Sequence, residues 1–329
     1  MNNNLIFDII RKLRNKINNN KALKTILSLV LICLIVYELF FDGGLQQIMS
    51  SMSQQQTEPT YSTLTTLATE APTEAPKPKE LVITMLDGDQ GDSILISYDD
   101  HHMLIDTNVT EYYGNVKSTL TKMGIGKLDY LVATHPHADH IGSMHKVLTD
   151  FKVGKYYYTD LDTGKYTYQN AMDHAYEYAD KVELLVTGDK FKLGKDVKLT
   201  VLSPDEGYKT ENVNNVSAVL LLEWGEFNAL LMGDAESDIE LGLVKKGVIP
   251  DVDLLKLGHH GSYTSSHKDF LKTAKPEVTL ISLGKDNEYG YPHQVTLNKL
   301  EEIKTKVYRT DLRGNVTVTV GEDGKMKVK

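Results

Sequence analysis

Only one cysteine, Cys33, occurs in the 329 residues. That scarcity excludes an intrachain disulfide and every cysteine-built zinc module, so any metal must be held by His, Asp and Glu. Cationic side chains are also in deficit, with 36 Lys and Arg against 45 Asp and Glu. The deficit lies in residues 80–329, which hold 28 basic and 39 acidic side chains, a net of −11. Nucleic-acid phosphates demand many Lys and Arg contacts, so this surface argues against sequence-independent DNA binding. It leaves open a phosphodiester held locally by metal. No internal repeat occurs beyond the short Thr-Glu-Ala-Pro pair at 69–72 and 73–76.

The front of the chain differs in kind. Residues 1–24 are Asn-rich and basic, with Arg11, Lys12, Arg14, Lys16, Lys21 and Lys24 against Asp8. Residues 25–41 are then almost wholly apolar, and as a helix would span about 26 Å, near the lower limit for a bilayer. Basic flanks stay cytoplasmic, which predicts a single-pass cell-membrane protein with its N-terminus inside and its remainder extracellular. A cleaved signal peptide is the rival. The long basic leader and the lack of a small-x-small cleavage site favour a signal anchor. Residues 42–79 are Gln-, Ser-, Thr- and Pro-rich, cannot bury a core, and read as a disordered linker with a coil span of roughly 30–40 Å.

From Glu80 onward short strands alternate with amphipathic helices, which predicts an α/β domain over 80–329. Strand-like runs occupy 81–86, 94–98, 103–106, 128–133, 155–159, 182–186, 197–202, 218–224, 227–232, 253–257 and 278–283, with edge strands near Val307 and 316–320. Helical spacing covers 115–123, 141–148, 166–180, 235–246, 267–274 and 294–305. The pattern fits two packed sheets with helices outside, and leaves other α/β layouts open.

The densest chemistry follows the apolar run at 128–133: Thr134-His135-Pro136-His137-Ala138-Asp139-His140. Four metal-capable side chains crowd one strand-to-helix turn. His135 and His137 alternate along extended chain, while Asp139 and His140 enter the helix. Imidazole and carboxylate donors suit zinc or a similar first-row ion, and an open coordination position activates water. Three other strand ends carry candidates: Asp106, Gly233-Asp234, and Gly258-His259-His260-Gly261-Ser262. Asp106 alone would pass for a turn carboxylate, and Asp234 for a helix N-cap. His101, His102, His145, His174 and His267 lack a convergent partner and read as turn or helix residues. Tyr156–Tyr158, with Tyr166 and Tyr168, reads as a wet strand face rather than a substrate wall.

The His-x-His-x-Asp-His spacing resembles the metallo-β-lactamase superfamily. Further segments narrow the resemblance: Asp87-Gly88-Asp89-Gln90-Gly91-Asp92-Ser93, Gly-His-His-Gly-Ser with Ser265-Ser266, Tyr289-Gly290-Tyr291-Pro292-His293, and Tyr308-Arg309-Thr310-Asp311. Together they are similar to the hydrolase domain of ComEC-type DNA-internalisation competence proteins, over about residues 81–320. The resemblance selects the αββα metallo-β-lactamase-like sandwich. It implies that His135, His137, Asp139, His140, Asp234 and His259 ligate one or two Zn2+ ions, with Mn2+ as the alternative. By the same resemblance Asp234 bridges, Asp106 supports the metal loop from behind, and His260 or Ser262 faces substrate. Asp139, His260 and His293 are the expected catalytic residues. Two substitutions depart from the pattern: Gly88-Asp89 replaces a hydrophobic-Gly pair, and Tyr291 a histidine. The superfamily's third histidine is absent too; its place falls near Asn214-Asn215-Val216-Ser217, where this branch carries Asn and Ser.

The expected activity is metal-dependent hydrolysis of a phosphodiester, in a small molecule, a nucleic acid or an envelope polymer. DNA is disfavoured by the acidic domain, and no feature names a protein partner. The alternative is a non-enzymatic, metal-stabilised binding module at the cell surface.

Overall fold

Val316, Val318 and Val320 alternate with Thr317 and Thr319, and in the computed structural model this period of two becomes a strand burying every valine. The structure describes residues 79–329 except Asp89. The predicted basic leader, membrane helix at 25–41 and linker lie outside the described residues, Lys79 apart. Among the described residues no helix is long and apolar enough to cross a membrane.

Two sheets form. The first runs β15 (Met326–Val328), β14 (Val316–Gly321), β1 (Glu80–Met85), β2 (Ile94–Tyr98), β3 (His101–Ile105), β4 (Lys127–Val132), β5 (Lys152–Tyr158) and β6 (Ala179–Leu184). It is antiparallel up to the β2–β3 pair and parallel from β3 to β6. The second runs β13 (Lys306–Arg309), β12 (Val278–Ile281), β11 (Leu254–Lys256), β10 (Phe227–Leu231), β9 (Val219–Trp224), β8 (Val197–Ser203) and β7 (Lys190–Leu193). Here β10 to β13 are parallel and β7 to β10 antiparallel.

Between the sheets lies a core to which Leu81, Ile83 and Ile96 contribute from one side and Leu220, Leu222 and Ala229 from the other. Helices cover the outer faces. On the first sheet, α1 (Tyr113–Lys122), α3 (Met144–Asp150) and α4 (Tyr166–Tyr178) bury Leu120, Val147 and Ala175 against Leu104, Leu128 and Leu131. On the second, α5 (Ser237–Lys246), α6 (Lys268–Ala274) and α7 (Gln294–Glu302) bury Leu243, Phe270 and Leu300 against Leu230, Leu255 and Ile281. The expected two-sheet α/β sandwich is therefore present. Each fully buried Leu in these layers contributes about 1.5–3 kcal/mol of apolar burial, so the sandwich rests on its three apolar layers.

Some local expectations change. The helix expected at 141–148 divides into a one-turn α2 (Ala138–Ile141) and α3, parted at Gly142-Ser143. A Cβ on Gly142 would lie 2.9 Å from the Asn108 carbonyl, so the glycine admits the loop after β3. Lys190–Leu193 forms a strand that its two lysines disguise. Tyr156 and Tyr157 are not wet: they are 1% and 5% exposed, on opposite faces of the first sheet, each in an apolar core.

Candidate metal centre

β4 and β3 are parallel neighbours, so the loops that follow them emerge side by side. Asp106, just past β3, takes the backbone N–H of Thr134 at 2.8 Å and its hydroxyl at 2.6 Å, which pins the start of the histidine loop. Its Oδ2 lies 2.7 Å from Nδ1 of His140. A carboxylate can only accept there, so Nδ1 carries a proton and Nε2 is the nitrogen turned toward the cluster. Both residues are completely buried.

Asp234 arrives from β10 in the second sheet. Its backbone N–H donates to Ser217 Oγ at 3.0 Å. Its Oδ2 lies 3.2 Å from His140 Nε2, 3.3 Å from His260 Nε2 and 3.8 Å from His135 Nε2. Asp139 Oδ2 closes the group at 3.8 Å from both His140 Nε2 and His260 Nε2. The ligand atoms of Asp139, His140, Asp234 and His260 all lie within 4.8 Å of one another.

The Gly258–Gly261 turn corrects the expected roles of its two histidines. His260 Nδ1 donates to the Ser282 carbonyl at 2.8 Å, which turns Nε2 into the cluster. His259, expected as the ligand, faces away. Its Nδ1 lies 3.1 Å from Glu236 Oε1 and 3.1 Å from Thr264 Oγ1, and its Nε2 lies 3.2 Å from Tyr291 Oη. Consecutive left-handed residues, φ 45° at His259 and 50° at His260, produce the divergence. Such backbone costs of order 1–3 kcal/mol per residue and persists where its surroundings enforce it.

His135 and His137 stand beside the cluster, with His135 Nε2 3.0 Å from His137 Nδ1. His135 is buried and His137 partly open. The Asn214–Ser217 segment lies against the site with no imidazole to offer. Asn214 Nδ2 donates to Glu236 Oε1 at 3.1 Å, Asn215 Oδ1 accepts from the Glu236 N–H at 3.1 Å, and Ser217 holds Asp234. His293 lies outside the cluster, its Nδ1 accepting from the Tyr263 N–H at 3.1 Å and its ring centroid 5.2 Å from that of Tyr291.

Three residues of the site were not singled out from the sequence. Lys256 Nζ lies 2.6 Å from Asp92 Oδ2, both side chains buried, in an ion pair joining the two sheets beneath the histidines. A lysine inside Leu254-Leu255-Lys256-Leu257 is the available signal, because a buried ammonium requires a carboxylate. Glu236 is the third. Gly91, φ 109°, sits so close to Asp139 that a Cβ would collide with its carbonyl, which explains a glycine in the Asp87–Ser93 segment.

Electrostatics couple the charges of the centre. Burial opposes charge on His140, but Asp234 and Asp106 outweigh it and hold its pKa well above the ordinary value. His260 is raised in the same way, chiefly by Asp234 against burial. Burial pushes the Asp234 carboxyl up, and His260 and His140 reverse this and hold it well below the usual range. His135 falls well below its ordinary value through burial, then through His140. The buried carboxylate thus draws positive charge to its neighbours. His140 Nε2, His260 Nε2 and Asp234 Oδ1 nevertheless lack hydrogen-bond partners while fully buried. Orphaned donors converging from two imidazoles and a carboxylate, with Asp139 at the rim, fit a divalent ion of borderline softness.

A family model described as the metallo-beta-lactamase superfamily matches residues 86–285. The chain is 32% identical over 254 residues to ComE operon protein 3 of Bacillus subtilis (strain 168), covering 71% of this chain and 32% of that protein. It is 30% identical over 253 residues to competence protein ComA of Neisseria gonorrhoeae, covering 76% of this chain and 34% of that one. The chain thus spans about a third of the length of these curated relatives. Among solved structures, the diiron beta-hydroxylase CmlA from Streptomyces venezuelae superposes with a TM-score of 0.51 at 14% identity, over 74% of this chain and 55% of that one. The metallo-beta-lactamase fold protein YhfI from Bacillus subtilis superposes with 0.50 at 12% identity, over 76% of this chain and all of that one.

Proposed function

The chain belongs to the metallo-beta-lactamase superfamily, and on that premise we propose that it is a metal-dependent hydrolase of phosphodiesters. The observation that carries this reading is that ligand atoms of Asp139, His140, Asp234 and His260 lie within 4.8 Å of one another, with His140 Nε2, His260 Nε2 and Asp234 Oδ1 buried and without hydrogen-bond partners. Asp139, His140, Asp234 and His260 would hold the first ion, and His135 and His137 with the shared Asp234 a second, weaker one. Zinc matches the donor set best, with manganese as the alternative. A divalent ion there supplies Lewis acidity and an activated water.

The remaining work falls to the chain itself. Asp106 and the Ser282 carbonyl keep the Nδ1 protons of His140 and His260 occupied, so both Nε2 atoms stay turned toward Asp234. Asp139 is the cluster member open to solvent, its side chain 28% exposed, so substrate enters past it. The substrate class is a small or polymeric phosphodiester. Nucleic acid is the weaker candidate because residues 80–329 carry a net charge of −11. Residues 25–41 anchor the protein in the cell membrane in this reading, with the hydrolase domain outside.

The missing third imidazole favours one rival, a metal-stabilised binding module without turnover. Hydrolysis of bis-p-nitrophenyl phosphate by the detergent-solubilised full chain separates the two. The proposal expects turnover that a chelator abolishes and zinc or manganese restores. A protein that retains metal yet cleaves no phosphodiester is the binding module.

A further inference from the structure

We propose that Tyr291 is a catalytic residue whose hydroxyl contacts the substrate beside the Asp139–His140–Asp234–His260 cluster, with His259 and Glu236 as its positioning residues. This rests on the hydrolase reading for its substrate class. A single line of polar contacts carries it. Glu236 Oε1 lies 3.1 Å from His259 Nδ1, and His259 Nε2 lies 3.2 Å from Tyr291 Oη. A carboxylate, an imidazole and a hydroxyl in series orient the hydroxyl at the end of the line.

The line is anchored at its far end. The Glu236 carboxylate also accepts from Asn212 Nδ2 at 2.8 Å and Asn214 Nδ2 at 3.1 Å, and its own N–H donates to Asn215. At the near end the Tyr291 ring lies close to parallel with the His260 ring, centroids 6.2 Å apart and planes at 25°. The hydroxyl is therefore carried by a ring that flanks a cluster residue. Tyr289 stacks on Tyr291 at 5.4 Å and is 64% exposed, so this aromatic wall opens to solvent. Tyr291 itself is partly buried and reachable. The hydroxyl has one proton and two lone pairs: the proton that points at His259 Nε2 in the free protein turns to an anionic substrate oxygen, which can only accept, while a lone pair meets the neighbouring Ser262 hydroxyl. The paired left-handed residues let one turn give adjacent imidazoles different partners, Asp234 for His260 and Tyr291 for His259.

The test uses the zinc-loaded full chain and inorganic phosphate as probe, with bis-p-nitrophenyl phosphate hydrolysis measured in parallel. Tyr291→Phe keeps its zinc and weakens phosphate binding by roughly ten- to hundredfold, the worth of one hydrogen bond to a charged group. Where hydrolysis is present, kcat/KM falls over the same range. His259→Gln and Glu236→Gln also keep zinc and show smaller losses, and Tyr291→Phe combined with His259→Gln is no worse than Tyr291→Phe alone. Tyrosine-dependent phosphate binding without phosphodiester turnover sinks the hydrolase reading and the catalytic role with it, and leaves standing only the contact between the Tyr291 hydroxyl and a phosphate oxygen. Phosphate affinity unchanged in Tyr291→Phe, zinc lost from that variant, losses that multiply in the double variant, or no phosphate binding by the wild type each overturns it.

Discussion

Nδ1 of His140 lies 2.7 Å from Oδ2 of Asp106, and both groups are fully buried. This contact decides which nitrogen of His140 faces the cluster. Asp106→Asn keeps the shape but removes the charge that fixes the tautomer, so zinc affinity should fall roughly 10–100-fold, the usual effect of losing such a support. Circular dichroism should show the fold retained. Unchanged affinity would mean that the histidine is oriented by packing alone.

Removing a ligand should differ from removing a neighbour. Asp139→Ala should lose metal and activity together, because a site forms only while its ligands converge. His293→Ala should keep its metal while kcat/KM drops by roughly 10²–10⁴-fold, the range for acid–base groups. His174, whose Nδ1 bonds the Asn170 carbonyl on α4, is the control, and His174→Ala should change neither quantity. Loss of metal from the His293 variant would make that residue a ligand.

Glu240 supplies a pH signature outside the centre. It is completely buried on α5 and accepts the N–H groups of Ser266 and His267 at 2.7 Å each. Burial raises its carboxyl from 4.5 to about 7, against the opposing pull of those two amides. A folded pKa above the unfolded one means the folded state binds the extra proton, so this contribution is full below about pH 4.5 and is lost as pH rises through 7. Relative to Glu240→Gln, the wild type should therefore lose up to roughly 3 kcal/mol of stability between pH 4.5 and 8. Urea unfolding of both proteins across that range measures it, and parallel profiles would refute it.

The sequence displayed the parts of the centre that depend on local spacing. His135, His137, Asp139 and His140 are within six residues, and a strand followed by Gly233-Asp234 delivers a carboxylate at a strand end. The alternation of strands and helices was equally plain, so an α/β domain could be read before its contacts were known, while the two-sheet layout came from the family resemblance. Choosing between His259 and His260 was a different problem, because each is adjacent to the other and only the φ values of a Gly-flanked turn decide which imidazole turns inward. Lys256 and Asp92 are 164 positions apart and meet only once the sheets pack. Lys190–Leu193 hid for a related reason: it is paired only with β8 at the edge of its sheet, where lysines are tolerated.

The central claim is that Asp139, His140, Asp234 and His260 form the principal metal site, and calorimetric titration of the metal-free full chain with zinc tests it most directly. The account predicts one tight site and one weaker site in the wild type, with the tight site abolished in His260→Ala and preserved in His259→Ala. A tight site that survives His260→Ala, or that disappears in His259→Ala, would contradict it.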